Sequence, residues 1–87
     1  MRRYGFVGII IRNREASAAK IQEILSRHAA VIQGRLGLPH LDANRVAVIA
    51  LIIYATSEEL GAMAGQLGRL PGVVVKSALE PMGEVQP

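Results

Sequence analysis

The stretch VAVIALIIYATSEEL (Val46–Leu60) decides how this sequence folds. From Val46 to Tyr54 it is the most strongly apolar segment of the chain and reads as a β-strand. Immediately after it, Thr56-Ser57-Glu58-Glu59 has the form of a capping box. There the threonine hydroxyl and the glutamate carboxylate satisfy each other's exposed backbone N–H groups at the start of a helix. Leu60, Met63, Ala64, Leu67 and Leu70 then recur every three or four residues, as one face of a helix requires. Gly61, Gly65 and Gly68 weaken that helix intrinsically, so packing must hold it, and they would permit close approach of a neighbour. Leu70-Pro71-Gly72 stops the helix, and Val73–Leu79 reads as a final strand.

Working toward the N-terminus, residues Pro39 to Arg45 are polar and turn-like. Before them, Ala30 to Leu38 reads as a strand that Pro39 ends. Its glycines, Gly34 and Gly37, call for a bulge or a close backbone approach. A helical period runs from Glu15 through Ala18, Ile21, Ile24, Leu25 and His28, with Asn13 as the expected cap. Arg3 to Arg12 reads as the first strand. The order is β-α-β-β-α-β, a supersecondary unit used twice. Right-handed crossovers put the first and third strands at the centre of a four-stranded antiparallel sheet, with both helices on one face. The expected fold is thus α+β, ferredoxin-like. Residues 1–80 are expected to form the single domain and residues 81–87 a flexible tail, with poor order setting in from Glu80.

Composition narrows the class. A chain of 87 residues that is 51% apolar can build one core and is far from the signature of disorder. Tyr4, Phe6 and Tyr54 are its only aromatics, so the core must be aliphatic. The absence of cysteine excludes disulfides, thiolate metal sites and a cysteine nucleophile, and points to the cytoplasm. The formal charge of +3 comes from eight arginines and two lysines scattered along the chain, which aids anion binding without marking a nucleic-acid protein. Arg2 and Arg3 precede an apolar stretch, but no small-residue cleavage site follows, so no secretory signal is read. The longest apolar run, Val46 to Ala55, is about half of what a membrane span needs.

Strand alternation has a consequence for partners. Val7, Ile9 and Ile11 point one way from the first strand, and Tyr4, Phe6, Gly8 and Ile10 point the other. In the third strand Val46, Val48 and Ile52 oppose Ile49, Leu51 and Ile53. Two helices cover only one face, which leaves an apolar sheet face for a homo-oligomer, dimer or tetramer, to bury.

Several stretches resemble a known family. Gly8-Ile9-Ile10-Ile11-x-Asn13-Arg14, Gly34-Arg35-Leu36-Gly37-Leu38-Pro39 and Gly65-x-Leu67-Gly68-Arg69-Leu70-Pro71-Gly72-Val73-x-Val75-Lys76 look like the iron-only hydrogenase system regulators. The likeness reaches nearly to Leu79, with the segments in the right order. It implies an ACT-like domain, similar in fold to the effector domain of the nickel-responsive repressor, acting in hydrogenase assembly or expression. That repressor carries a DNA-binding segment before its ACT-like domain, whereas here the first strand is expected within three residues of Met1. Its nickel site uses histidines and a cysteine where this chain has Arg35, Gly37, Ala47 and Val48. Neither direct nucleic-acid binding nor a metal or other cofactor is therefore expected.

Two segments are candidates for an effector. Arg12, Asn13 and Arg14 follow the first strand at the mouth of the first helix, where free N–H groups and guanidinium groups suit an anion. ACT-like domains often hold small effectors near this turn, at subunit interfaces. A capped helix with solvated arginines is the plainer reading. Gly34, Arg35 and Gly37 either form a bulge or let a ligand or second subunit lie against the backbone, with Arg35 as its charged contact. His28, at a helix end, is expected to meet the last carbonyls, and His40 lies in a loop.

Catalysis is the rival class. Acylphosphatases share this fold and pair an arginine after the first strand with an asparagine on the third. Arg12 or Arg14 with Asn44 imitates that pair, but Asn44 precedes the third strand and no glycine-rich phosphate cradle is present. An RNA-reading sheet needs stacked aromatics and basic residues on an open face that reads here as aliphatic. The expected function is a non-enzymatic regulatory or sensor module that self-associates and binds a small effector. The alternative is an adaptor that contacts a hydrogenase-related protein partner without a small ligand.

Overall fold

The fold was taken from a computed structural model, which describes residues 1–12 and 14–82. Strands β1 (Arg3–Ile11), β2 (Ile32–Leu41), β3 (Val46–Ala55) and β4 (Val73–Leu79) alternate with helices α1 (Arg14–Arg27) and α2 (Ser57–Gly68) in the expected order. A short 3₁₀ turn, Ala29–Val31, leads into β2. The sheet order is β2-β3-β1-β4, all antiparallel, so the first and third strands are central. Asn13, the expected helix cap, lies outside the described residues.

The start of α2 forms as its sequence dictates. Glu59 N–H donates to Thr56 Oγ1 at 3.0 Å, and Thr56 N–H donates to Glu59 Oε1 at 2.8 Å. Leu60, Met63 and Leu67 of α2 and Ile21, Ile24 and Leu25 of α1 then bury themselves on Val7, Ile9, Ile11, Ile49, Leu51 and Ile53 of the sheet. Ser17 is buried as well, and its hydroxyl donates to the Pro71 carbonyl at 3.0 Å, tying α1 to the turn before β4. Ala18, expected among the buried residues, is exposed, because Ser17 takes the inward place.

Three local expectations change. Pro39 does not end β2, which continues to Leu41. A proline is tolerated there because β2 is an edge strand with no ladder on its outer side. The glycines of α2 face open space, since a Cβ at Gly61, Gly65 or Gly68 would meet nothing within 4 Å. The tight position is Gly5 on β1, where a Cβ would collide with the carbonyl oxygen of Ala78 across the β1–β4 ladder. Finally, Glu80 is fixed: its N–H donates to Tyr4 O at 2.9 Å and its carboxylate accepts from Tyr4 N–H at 2.9 Å.

The β2–β3 hairpin turns through Asp42, Ala43 and Asn44, all at positive φ (49°, 55° and 70°). Arg45 N–H donates to Asp42 O at 3.1 Å, closing the turn around Ala43 and Asn44. Positive φ at both central residues is the hairpin arrangement that matches the twist of the strands. Among the described residues, no helix is long and apolar enough to cross a membrane.

Candidate effector cleft and open sheet face

Strand β2 separates two sites because its side chains alternate between faces. Gly34 pairs with Ile52, Leu36 with Ala50 and Leu38 with Val48, all on the uncovered face. Arg35 pairs with Leu51 and Gly37 with Ile49, both buried residues of the helix-covered face. One register shift between Ile32 and Gly34 and another between Leu38 and Leu41 bulge the strand on either side of this segment. The bulge expected from the glycines is therefore present, and it flanks them. Among the described residues, a Cβ at Gly34 or Gly37 would meet nothing within 4 Å.

On the covered side that missing side chain contributes to a cleft of about 260 Å³ between α1 and the β2–β3 edge. Its position follows from residue size. Ala18 of α1 faces Gly37 of β2 and Ala47 of β3, three small residues where larger ones would close the gap. Ile11, Ile21 and Ile49 complete an aliphatic wall, and Leu38 and Val48, whose register is that of the other face, line its edge. At the rim Arg35 Nη2 donates to Gln22 Oε1 of α1 at 3.2 Å, bridging helix and strand across the cleft.

Among the described side chains, the cleft draws on the second candidate segment and not on Arg12 of the first. Arg35 and Gly37 line the cleft, and Gly34 faces the other side of the sheet. Arg12 is exposed and does not line it, although its neighbour Ile11 does; its N–H donates to Gly72 O at 2.8 Å. Arg14 begins α1, and Asn13 is outside the described residues. Sequence reading missed Gln22 and Ala18 as cleft residues. The helical period placed Gln22 off the apolar face, which was the available signal that it is free to meet Arg35.

The uncovered face carries Tyr4, Phe6 and Ile10 of β1, Ile52 and Tyr54 of β3, Leu36 and Leu38 of β2, and Val74 of β4, all exposed. Tyr4 and Tyr54 are direct cross-strand partners with ring centroids 4.6 Å apart. All three aromatics of the chain therefore lie on this face, which corrects the reading of it as purely aliphatic. Lys76, opposite Gly8, is its basic residue on the β1–β4 side.

Other charged groups are engaged in holding the fold. Arg2 donates to both carboxylate oxygens of Glu59, at 3.1 and 2.9 Å. Those bonds, with the one from the Thr56 backbone, hold the Glu59 carboxyl at about 2, well below the usual carboxylate range. Arg3 donates to the Glu80 carbonyl at 2.9 Å and to Ser57 Oγ at 2.8 Å. His28 Nε2 meets Gln66 Oε1 of α2 at 3.1 Å, so it joins the two helices rather than capping its own. His28 and the β2 residue His40 lie near opposite ends of α1, and among the described residues no three metal-ligating side chains gather.

The sequence of residues 3–77 matches the TM1266-like iron-only hydrogenase system regulator family. No curated protein matches the sequence. Among solved structures, the uncharacterized protein TM1266 from Thermotoga maritima is 27% identical with a TM-score of 0.86, covering 93% of this chain and 100% of that one. The ACT domain from the GTP pyrophosphokinase of Chlorobium tepidum aligns at a TM-score of 0.73 and 14% identity, over 90% of this chain and 100% of the domain. A nitrogen regulatory PII-like protein from Thiomonas intermedia K12, bound to ADP, AMP and bicarbonate, aligns at 0.57 and 17% identity, over 95% and 96% of the two chains. The latter two likenesses concern the fold alone. With the βαββαβ order, the open sheet and the match over nearly its whole length, the chain belongs to the TM1266-like family of iron-only hydrogenase system regulators and has an ACT-like fold.

Proposed function

We propose that this protein is a non-enzymatic regulatory module of the iron-only hydrogenase system, acting in the cytoplasm as a homo-oligomer that responds to a small effector. The effector occupies the cleft between α1 and β2, and a second copy covers the open sheet face. The observation that carries this reading is the alternation of β2. Arg35 and Gly37 border the cleft while Leu36, between them on the same strand, lies exposed on the opposite face. A ligand that draws on Arg35 therefore bears directly on the strand that presents Leu36 to a neighbouring subunit. Coupling between two sites needs such a shared element, because a ligand shifts an assembly only through contacts that differ between its states.

The exposed face supports self-association on physical grounds. An apolar patch of this kind is rarely left in water by a monomer, and its near-absence of charge lets two copies of a basic protein approach without repulsion. The aromatic cluster of Tyr4, Phe6 and Tyr54 also fits a heterologous protein partner, since aromatic side chains dominate interface energetics. That is the adaptor reading, in which the cleft stays empty.

Thermal melting with pooled small metabolites separates the two. A rise in midpoint that is lost in Arg35→Met supports the effector reading. Melting that no pool shifts, together with a hydrogenase-related protein that co-purifies through Phe6, replaces it with the adaptor.

A further inference from the structure

The cleft's chemistry narrows what it can hold, and this step rests on reading the cleft as the effector site. Its wall is aliphatic, with no aromatic ring, so the enclosed part of a ligand is an aliphatic tail. Its volume, about 260 Å³, sits at the small end of ligand sites and admits a short tail rather than a nucleotide. Among the described residues, its polar side chains are Gln22 and Arg35 at the rim.

The hydrogen-bond inventory of those two groups is decisive. Arg35 donates to the Gln22 carbonyl oxygen, which occupies one of the two lone pairs of the side-chain acceptor described at the rim. What faces outward is then mainly a set of donors: the remaining guanidinium N–H groups and the Gln22 amide N–H₂. Such a rim is satisfied by an acceptor-only group, and a planar carboxylate meets a guanidinium fork with two parallel bonds. An ammonium group would need an acidic partner, and among the described residues no aspartate or glutamate lines the cleft. Among the described residues one guanidinium lines the cleft, which suits a monoanion.

We propose that the cleft between α1 and β2 binds a short-chain aliphatic monocarboxylate, its tail among Ile11, Ile21, Ala47 and Ile49 and its carboxylate on Arg35 and Gln22. The vacancy left by Gly37 is the floor that admits the tail. A Cβ placed there meets no described atom within 4 Å, so a larger side chain starts into the cleft without a clash at its root.

The test titrates 4-methylpentanoate into the full chain and follows backbone amide resonances, with Gly37, Ala18 and Ala47 as reporters. Saturable shifts at these residues are expected for the acid. The isosteric 4-methylpentanamide, 4-methylpentylamine and inorganic phosphate are expected to give none at the same concentrations. Arg35→Met should weaken binding roughly ten- to a hundredfold, the loss of a charge-assisted pair. Gly37→Leu, and independently Ala18→Leu from the helix side, should abolish binding while the melting transition stays cooperative. Arg69→Met, at the groove between the two helices, should leave affinity unchanged. Equal binding of the amide or amine, acid shifts that survive both cleft-filling variants, or no saturable shift at the three reporters would each overturn the carboxylate assignment. None of these outcomes alone removes the effector reading, whose own test is the Arg35-dependent metabolite shift.

Discussion

The two faces of this sheet are nearly equal in hydrophobicity and opposite in fate. On one, Val7, Ile9, Leu51 and Ile53 are fully buried under α1 and α2. On the other, Phe6 is 63%, Leu36 63% and Ile52 47% exposed. The difference is in side-chain type as much as in cover. The buried sheet residues of the covered face are all aliphatic, whereas every aromatic of the chain lies on the uncovered one. Aliphatic side chains interdigitate under helices, while aromatic rings offer large rigid contact area.

Neighbouring residues on β3 give the largest contrast. Leu51→Ala should cost about 3 to 4 kcal/mol of stability by leaving a cavity beneath the helices. Ile52→Ala, one residue along and on the open face, should cost the separated subunit less than about 1 kcal/mol. Urea denaturation at low protein concentration measures both, and equal losses would break the distinction between the faces. The glycines of β1 sharpen it. Gly5 lies on the covered side against the Ala78 backbone, and Gly5→Ala should destabilise by about 2 kcal/mol through forced displacement of β4. At Gly8, on the open side, an added Cβ sits an ordinary 3.8 Å from Lys76 O, so Gly8→Ala should leave stability nearly unchanged.

Smaller effects are expected where neither face is involved. Ala43 holds a φ of 55° in the β2–β3 turn, which costs an alanine roughly 1 kcal/mol that a glycine avoids. After the greater entropy of an unfolded glycine is deducted, Ala43→Gly should stabilise by at most about 0.5 kcal/mol, read from the thermal midpoint. The Arg2–Glu59 pair sits on the surface beside α2, with its carboxyl lowered from 4.5 to about 2 in the folded chain. Because the folded value is the lower one, its stabilisation is present above pH 4.5 and is lost as pH falls toward 2. Glu59→Gln should flatten the stability profile in that window and leave the covered and open faces alike untouched. Added salt should shrink the difference, as for any exposed pair.

How much of this was legible in the sequence varied with distance from regular patterning. The capping box at Thr56–Glu59 and the bounds of β4 were readable, because local hydrogen-bond chemistry and a proline-glycine stop set them. The fold followed, since the element order leaves one right-handed arrangement. At β2 legibility failed. A proline reads as a stop, yet an edge strand needs no N–H on its outer side, and edge position is a property of the whole sheet. The bulges beside Gly34 and after Leu38 also broke the alternation that would have placed Arg35 on the covered side. For the same reason the cleft could not be read: it arises where Ala18, Gly37 and Ala47 from three elements face one another, and small residues carry no individual signal. Gly5 escaped notice because its constraint comes from a partner strand more than 70 residues away.

The claim that a second copy covers the open face is tested most directly by light scattering over a dilution series, comparing the unaltered chain with Phe6→Glu. The account predicts a dimer or tetramer for the former. It predicts a folded monomer for the latter, because a charge at the centre of an apolar interface cannot be buried unpaired. A monomer at every concentration in the unaltered chain, or an assembly that Phe6→Glu leaves intact, would contradict it.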